Sequence, residues 1–113
     1  MEKIIDIDGR GVKFKSTAAT IRLYRQQTGK DLLVDIQKLQ KAIDSDGNMS
    51  VEALAIFEDI AYVMAKQADP SIPDTADEWL DSFGLFSIYV ILPQIVELWQ
   101  LSSLVTADLK KKA

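Results

Sequence analysis

Apolar and polar residues alternate at the start of the chain, in two short runs separated by a glycine-containing turn. The runs cover residues 4–7 and 12–15, with the turn at residues 8–11. Alternation with a period of two is typical of a half-buried strand, and glycine tolerates the positive φ of a tight turn. The pattern predicts a two-stranded hairpin whose apolar face needs a cover of helices or of a neighbouring copy's strands, and whose edge is a candidate docking site. The predicted apolar face is Ile5, Ile7, Val12 and Phe14.

From residue 16 onward the apolar spacing changes to three and four residues, which is typical of amphipathic helices. Ser16 or Thr17 is expected to cap a first helix that runs to Thr28, with Gly29 in the left-handed position after it. Asp31 is expected to cap a second helix. The inward residues of the first helix are Ala18, Ile21 and Tyr24, and the outward ones are Arg22, Arg25 and Gln26. The apolar face of the second helix is Leu32, Leu33, Ile36, Leu39 and Ile43.

A third predicted helix, capped by Ser50, extends from Val51 to about Ala68. It carries two apolar rows, so its apolar face is wider than one neighbouring element requires, which predicts a central position. The rows are Leu54, Phe57, Ala61 and Met64, and Ile56, Ile60 and Val63.

Two prolines in residues 70–73 predict an extended connection, because proline biases the preceding residue away from the helical region. Thr75 and Glu78 then have the spacing of a capping box that opens a short helix, which Gly84 ends or kinks. The apolar residues of this helix are Trp79, Leu80 and Phe83.

The last predicted helix, from Leu85 to about Leu104, is apolar almost all round, with a kink at Pro93. A domain of this size seldom covers every face of such a helix, so another chain is expected to cover part of it. Polar residues interrupt the stretch, whereas a bilayer span needs about 20 mostly apolar residues, so no membrane segment is expected.

These elements predict a mainly α fold, with an N-terminal β-hairpin followed by about five helices in a compact orthogonal bundle. The chain has 113 residues, the usual size of one domain. We expect a single domain over residues 1–113, with the hairpin in 1–15, the helical core in 16–105 and a flexible basic tail in 106–113.

Composition argues against most catalytic chemistry. The chain has no cysteine and no histidine, which removes disulfides, thiolate nucleophiles, imidazole bases and the commonest zinc ligands. We therefore expect no enzymatic activity, no cofactor, no metal and no small-molecule substrate. The N-terminal residues lack the regions of a signal peptide, and the missing cysteines suit a reducing compartment, so cytoplasm is the expected location.

Three motifs suggest a binding or catalytic site, but each lacks a feature that such a site requires. Residues 44–48 resemble the start of a calcium loop, but the position of its last ligand is Ala55 instead of glutamate. The acidic pairs at 58–59 and 77–78 give no sign of the burial that acid–base catalysis requires, and the second pair suits the first turn of a helix. Acidic residues interrupt the basic ones, and the pI is near 4.7, so nucleic acid is not an expected partner.

Charge is unevenly distributed along the chain. Residues 1–45 hold nine basic and six acidic residues, whereas residues 46–109 hold one basic and eleven acidic ones, and Lys110, Lys111 and Lys112 follow. Such asymmetry favours head-to-tail contacts between copies, which generate rings or open helical arrays; the alternative is ordinary solvated surface. The candidate self-association residues are Lys13, Lys15, Arg22, Arg25, Glu58, Asp59, Asp77 and Glu78.

Aromatic residues of the C-terminal half are candidate contacts for a partner, because aromatics are enriched at the energetic centres of interfaces. The alternative for each is packing in the core. The candidates are Trp79, Phe83, Phe86, Tyr89 and Trp99.

Several phrases resemble the tail assembly chaperones of long-tailed phages and prophages of Gram-positive bacteria. They are residues 14–25 (FKSTAATIRLYR), residues 29–33 (GKDLL), and the helix 54–68 followed by residues 77–80 (DEWL). The resemblance spans roughly residues 1–100 and rests on packing and capping patterns.

The resemblance implies a non-enzymatic protein of the host bacterial cytoplasm that is absent from the mature virion. It implies that the protein coats the tape measure protein and keeps it soluble until tail-tube subunits polymerise around it. It also implies a longer form made by ribosomal frameshifting, for which the lysine codons at 110–112 are a candidate slippery site, the alternative being a solubilising basic terminus. A different class of function remains open, a small acidic phage or host regulatory protein that acts by protein–protein binding.

Overall fold

The computed structural model describes residues 1–45 and 50–98 of the chain. These residues form a mainly α-helical fold with a two-stranded antiparallel sheet at the N-terminus, as predicted. The strands are β1 (Glu2–Ile7) and β2 (Arg10–Lys15). Asp8 and Gly9 connect them with φ values of 56° and 80°, and two successive positive φ values are typical of a type I′ hairpin turn.

The first helix, α1 (Ala18–Thr28), begins after Thr17 as predicted. Ala18 is exposed, however, and Thr20 takes the inward position instead. The reason is polar: the Thr20 hydroxyl accepts the Thr17 N–H at 2.9 Å and donates to Gln67 Oε1 at 2.5 Å. A hydrogen-bonded threonine therefore occupies a site that apolar spacing had assigned to a neighbour.

Gly29 follows α1 in the left-handed conformation, and α2 (Leu32–Ser45) comes next. Asp31 caps it as predicted, since its Oδ1 accepts the Leu33 N–H at 2.9 Å. Leu32 and Leu39 are buried, and Ile36 and Ile43 are partly buried. Leu33, predicted to face inward, is 57% exposed, because it lies about 100° around the helix from Leu32 and outside the buried stripe.

The long helix α3 (Val51–Ala68) is central, as its two apolar rows predicted. Ser50 caps it by accepting the Ala53 N–H at 3.1 Å. The helix contacts β2, α1 and α2, and the apolar face of the hairpin lies against it with Ile5, Ile7 and Phe14 buried and Val12 partly buried. The buried residues of α3 are Ala53, Ile56, Phe57, Ile60, Ala61, Tyr62, Val63, Met64 and Ala65.

Residues 69–75 connect α3 to the next helix, and side chains of α3 hold them in place. Lys66 Nζ donates to the carbonyl of Ile72 at 2.8 Å, and the Tyr62 hydroxyl donates to the carbonyl of Pro73 at 2.6 Å. The predicted extended connection thus contains an anchored turn. The short helix α4 (Ala76–Leu80) follows, with the Thr75 hydroxyl accepting the Glu78 N–H at 3.2 Å.

The C-terminal region differs from the predicted single helix with a kink. It contains α5 (Ser87–Val90) and, after a break, a helical segment α6 over residues 92–98. Pro93 cannot donate an N–H, and its ring clashes with the carbonyl four residues earlier, so a continuous helix breaks before it. In the first turn of α6 the missing N–H costs nothing. The predicted helix beyond residue 98, the basic tail and the loop at 46–49 lie outside the described residues.

Trp79 of α4 is the centre of an aromatic cluster that closes one side of the core. Its ring centroid lies 5.1 Å from that of Phe83, 5.7 Å from that of Tyr62 and 6.3 Å from that of Phe14. Among the described residues, no helix is long and apolar enough to cross a membrane.

Candidate protein-interaction surface

Three large apolar side chains stand exposed around the short helix α5. Leu85 is 81% exposed, Phe86 71% and Val90 72%. Phe86 immediately precedes the helix and Val90 lies four residues later, so the two share one side of it. Ile88, by contrast, is buried in the core. We call Leu85, Phe86 and Val90 the α5 apolar surface.

The hairpin turn holds the segment that leads into α5. Both carboxylate oxygens of Asp8 accept hydrogen bonds, one from the Ser87 hydroxyl and the other from the Gly84 N–H at 2.8 Å. A Cβ atom at Gly84 would lie 2.9 Å from Ser87 Oγ, so a side chain there would displace the hydroxyl that donates to Asp8. These contacts fix the backbone on which Leu85 and Phe86 stand.

Arg10, the first residue of β2, contacts the segment that follows α4. Arg10 Nη2 donates to the carbonyl of Ser82 at 3.0 Å, and its guanidinium carbon lies 4.6 Å from the ring centroid of Phe83. Guanidinium groups are attracted to the face of an aromatic ring at this distance. Asp8 and Arg10 therefore hold the backbone before and after Gly84.

The Asp8 contacts predict a specific dependence of stability on pH. The hydrogen bonds from Ser87 and Gly84, with a smaller contribution from Arg10, hold the pKa of the Asp8 carboxyl below its ordinary value of 3.8. A lowered pKa stabilises the fold above pH 3.8, and this contribution is lost as the pH falls through the folded-state pKa.

Replacing Asp8 with asparagine, which also tolerates a positive φ, is expected to lower the melting temperature at neutral pH. The difference from the parent chain should shrink as the pH falls below 3.8, because the unfolded parent then gains a proton that the folded carboxyl resists. Melting curves by circular dichroism across this range measure it, with Asp6→Asn on the exposed face of β1 as the control. Equal differences at pH 7 and pH 2.5 would contradict the assignment.

The predicted partner contacts occupy different environments. Trp79 is only 2% exposed, so its apolar area belongs to the core and is not available to a partner. Phe83 is half-buried against Trp79, and Phe86 is exposed as a contact residue requires. Tyr89 is half-buried with its hydroxyl donating to Glu58 Oε2 at 2.6 Å, and this bond, followed by burial, raises the pKa of the phenol. Trp99 lies outside the described residues.

The basic residues predicted for self-association lie on the hairpin and α1. Lys13, Arg22 and Arg25 are exposed, and Lys15 is half-buried. They belong to two neighbouring elements, β2 and α1, which the sequence places next to each other.

The acidic residues predicted for self-association divide into two kinds. Asp77 and Glu78 are exposed in the first turn of α4, whereas Glu58 and Asp59 are half-buried on α3. Burial raises the pKa of Asp59; Lys30 opposes this, and the neighbouring charges of Glu58, Asp35 and Asp77 add to it. Acidic side chains of α2, α3 and α4 therefore all act on Asp59.

A groove of about 310 Å³ beside this acidic region is lined by Asp59, Tyr62, Asp74 and Thr75, among others. In residues 1–45 and 50–98, no group of three or more acidic side chains is arranged to hold a metal ion. The groove lies between α1, α3 and the start of α4.

Two residues of the α5 apolar surface, Leu85 and Val90, were absent from the predicted partner contacts. The sequence indicates them only through the predicted last helix, which is apolar on nearly all sides and so carries more apolar surface than a small core can cover. The Asp8 contacts had no comparable signal, because Asp-Gly is explained by the hairpin turn alone.

Comparisons of the chain with protein-family models, with curated protein sequences and with solved structures found no match.

Proposed function

We propose that the protein is a phage tail assembly chaperone that binds and solubilises the tape measure protein, without enzymatic activity. The proposal starts from the resemblance of residues 14–25, 29–33, 54–68 and 77–80 to that family. The observation that supports it best is the α5 apolar surface, where three large side chains are more than two-thirds exposed. An exposed apolar cluster on a folded domain is typical of a protein-binding site.

The size of this surface suits transient binding. Burying one large aliphatic or aromatic side chain contributes about 1.5–3 kcal/mol, and association costs several kcal/mol in lost freedom. Three such side chains therefore support weak, reversible contacts that repeat along a long client. A chaperone that must leave when tail-tube subunits arrive needs contacts of this strength.

The client contact is expected to be an apolar stripe of a helix. Phe86 and Val90 are spaced four residues apart around α5, so they present a short ridge. A helix with apolar residues at three- and four-residue spacing offers the complementary face. Tape measure proteins, as long helical clients, would supply many such stripes.

We propose that copies of the chain associate head to tail along the client. The exposed basic side chains of β2 and α1 would meet the exposed Asp77 and Glu78 of the next copy's α4. Contacts between two different surfaces generate rings or helical arrays, and a helical array can wrap an elongated client. Glu58 contributes less to this surface than predicted, because it accepts the Tyr89 hydrogen bond.

The remaining parts of the proposal concern architecture and location. The helices would cross at steep angles in an orthogonal bundle, and the protein would act in the cytoplasm of the bacterial host. It would be absent from the mature virion.

Coexpression with an aggregation-prone tape measure segment tests the function. We expect the parent chain to keep the segment soluble, and the triple variant Leu85→Ser, Phe86→Ser and Val90→Ser to lose at least about tenfold in affinity for it. The matched control is Leu33→Ser, Val34→Ser and Val51→Ser, which removes exposed apolar side chains elsewhere. A parent chain that leaves the segment insoluble contradicts the chaperone proposal, and equal losses in both triple variants contradict the assigned surface.

Light scattering of the purified parent chain at low and high salt tests self-association, because surface charge contacts weaken as salt rises. Oligomers at low salt that dissociate at high salt are expected. A monomer at low salt and high protein concentration contradicts the head-to-tail contact and favours the alternative of a small acidic regulatory protein.

A further inference from the structure

The outer edge of β2 presents backbone groups that have no partner in the described part of the chain. Met1 and Ser16 exchange two hydrogen bonds, of 2.8 Å from the Ser16 N–H and 2.7 Å from the Met1 ammonium group. Hydrogen-bonded and non-hydrogen-bonded pairs alternate in an antiparallel ladder. The N–H and C=O groups of Gly11 and Lys13 therefore point away from β1. The pairs that bond within the hairpin are Lys3↔Phe14, Ile5↔Val12 and Ile7↔Arg10.

A groove of about 410 Å³ lies along this edge. Residues 10–13 of β2 form one side, and Ile72 and Pro73 of the anchored connection lie on another. Phe83 contributes apolar surface to it, whereas Trp79, which also borders the groove, is buried. The unpaired backbone edge and the apolar lining are thus parts of one feature.

The charge of the groove is positive at the strand. Arg10 and Lys13 both line it, and Lys13 is exposed. The carboxylate that also lines it, Asp69, accepts the Ser71 N–H at 3.0 Å and the Ser71 hydroxyl at 2.6 Å. Arg10 is held by the Ser82 carbonyl and the Phe83 ring, so the exposed Lys13 is the basic group that can meet an acidic ligand.

We infer that this groove binds an extended segment of another protein as a third strand of the sheet, with apolar and acidic residues alternating along the segment. Successive side chains of a strand point to opposite faces. Residues opposite Gly11 and Lys13 would place acidic side chains on the outer face beside Lys13. The intervening residues would place apolar side chains in the groove with Val12 and Ile72.

A second copy of the chain fits this site poorly. Its β1 carries acidic residues, but Ile5 and Ile7 are 1% and 2% exposed because they pack in their own core. They cannot enter the groove of a neighbour. The outer edge of β1 is also unsuitable for the same segment, since Glu2 and Asp6 on that strand would repel its acidic side chains.

Backbone amide exchange in the isotope-labelled full chain tests the inference, with the synthetic peptide acetyl-TEVEVEVT-amide as the probe. A saturating amount of peptide is expected to slow exchange at the amides of Gly11 and Lys13 at least about tenfold, since both would become donors. The amides of Val12 and Phe14, already bonded to β1, should change little. Unchanged exchange at Gly11 and Lys13 overturns the proposal.

Two further peptides separate backbone pairing from charge. A peptide N-methylated at its central residues cannot pair fully with the edge and is expected to bind at least about tenfold more weakly. The peptide acetyl-TKVKVKVT-amide is expected to bind at least about tenfold more weakly because it repels Arg10 and Lys13. If the N-methylated peptide binds as tightly as the first peptide, backbone pairing is overturned. If the lysine peptide binds as tightly as the first, the preference for acidic side chains is overturned.

Variants of the chain provide matched controls. Lys13→Pro removes the outward N–H without removing a bond of the hairpin, and Lys13→Gln removes the same charge and keeps the N–H. We expect Lys13→Pro to bind the first peptide at least about tenfold more weakly than Lys13→Gln does. Ile4→Pro, on the outer edge of β1, should bind it like the parent. Equal binding by the two Lys13 variants overturns strand addition.

The outcome remains decisive if Lys13→Pro does not fold, because the N-methylated peptide tests the same bonds on the parent chain. Dimers of the parent that persist in Lys13→Gln and disappear in Lys13→Pro would identify the occupant as a second copy and overturn the inference. None of these residues belongs to the α5 apolar surface, so the inference and the proposed binding of the tape measure protein fail or succeed separately.

Discussion

Replacing Trp79 with alanine is expected to lower the free energy of unfolding by about 3–5 kcal/mol, a large part of the stability of a domain of this size. The indole is 2% exposed and packs against the rings of Phe14, Tyr62 and Phe83. These rings come from the hairpin, α3 and the segment after α4. Truncation removes the apolar contacts and leaves a cavity that three separate elements cannot fill together.

Urea unfolding followed by far-ultraviolet circular dichroism measures this loss without relying on the indole signal. Phe86→Ala is the matched control, because that ring is 71% exposed and its loss should change stability by no more than about 0.5 kcal/mol. A Trp79→Ala variant within about 1 kcal/mol of the parent would contradict the central position of the indole. A Phe86→Ala variant as unstable as Trp79→Ala would contradict the exposure of the α5 apolar surface.

The elements that follow local rules could be predicted from the sequence. Thr17, Ser50 and Gly29 mark helix ends through hydrogen bonds and backbone geometry that depend on nearby residues only. The hairpin likewise depends on the Asp8-Gly9 turn and on alternation within two strands. These features appear in the structure where the pattern indicated.

Tertiary contacts decide the features that could not be predicted. Trp79 and Phe86 are both aromatic residues in or beside short helices, but Trp79 is buried against the hairpin and α3 while Phe86 is exposed. The contacts of Asp8 with Gly84 and Ser87 join residues more than 75 positions apart, and no spacing rule reaches that far. The orientation of α5 relative to the core, and with it the candidate surface, depends on such contacts.

A buried hydrogen bond between α1 and α2 likewise could not be predicted from the sequence. Tyr24 was predicted to face inward from its spacing and does so, but Asp35 was not expected to accompany it. The Tyr24 hydroxyl donates to Asp35 Oδ2 at 2.6 Å, and Asp35 is 4% exposed. A carboxyl group at a buried position of a helix requires a partner on another element, which periodicity does not reveal.

Replacing Tyr24 with phenylalanine is expected to cost about 2 kcal/mol of unfolding free energy, because the buried Asp35 carboxyl loses a hydrogen-bond donor while the ring is retained. Asp35→Leu alone should also destabilise, since it leaves the phenolic hydroxyl without its acceptor. The double variant Tyr24→Phe and Asp35→Leu should be less unstable than the two single losses predict together, because it leaves no polar group unpaired. Additive losses in this cycle would contradict a direct bond.

The same pair predicts the stability of the chain at alkaline pH. Burial is the main cause that raises the pKa of Tyr24 far above its ordinary value of 10.0, and the hydrogen bond to Asp35 and the charges of Asp35 and Asp59 add to it. A raised pKa contributes stability that is fully present below pH 10.0 and is lost as the pH rises above that value, because the unfolded chain then releases a proton that the folded chain keeps.

Tyr62 and Tyr89 also have raised pKa values, so the parent and Tyr24→Phe should both lose stability in this range. The parent should lose more, and its advantage over Tyr24→Phe in urea unfolding should narrow as the pH rises above 10.0. Parallel curves for the two chains would mean that Tyr24 ionises as easily in the folded protein as in the unfolded one, which a buried phenol bonded to a carboxylate cannot do.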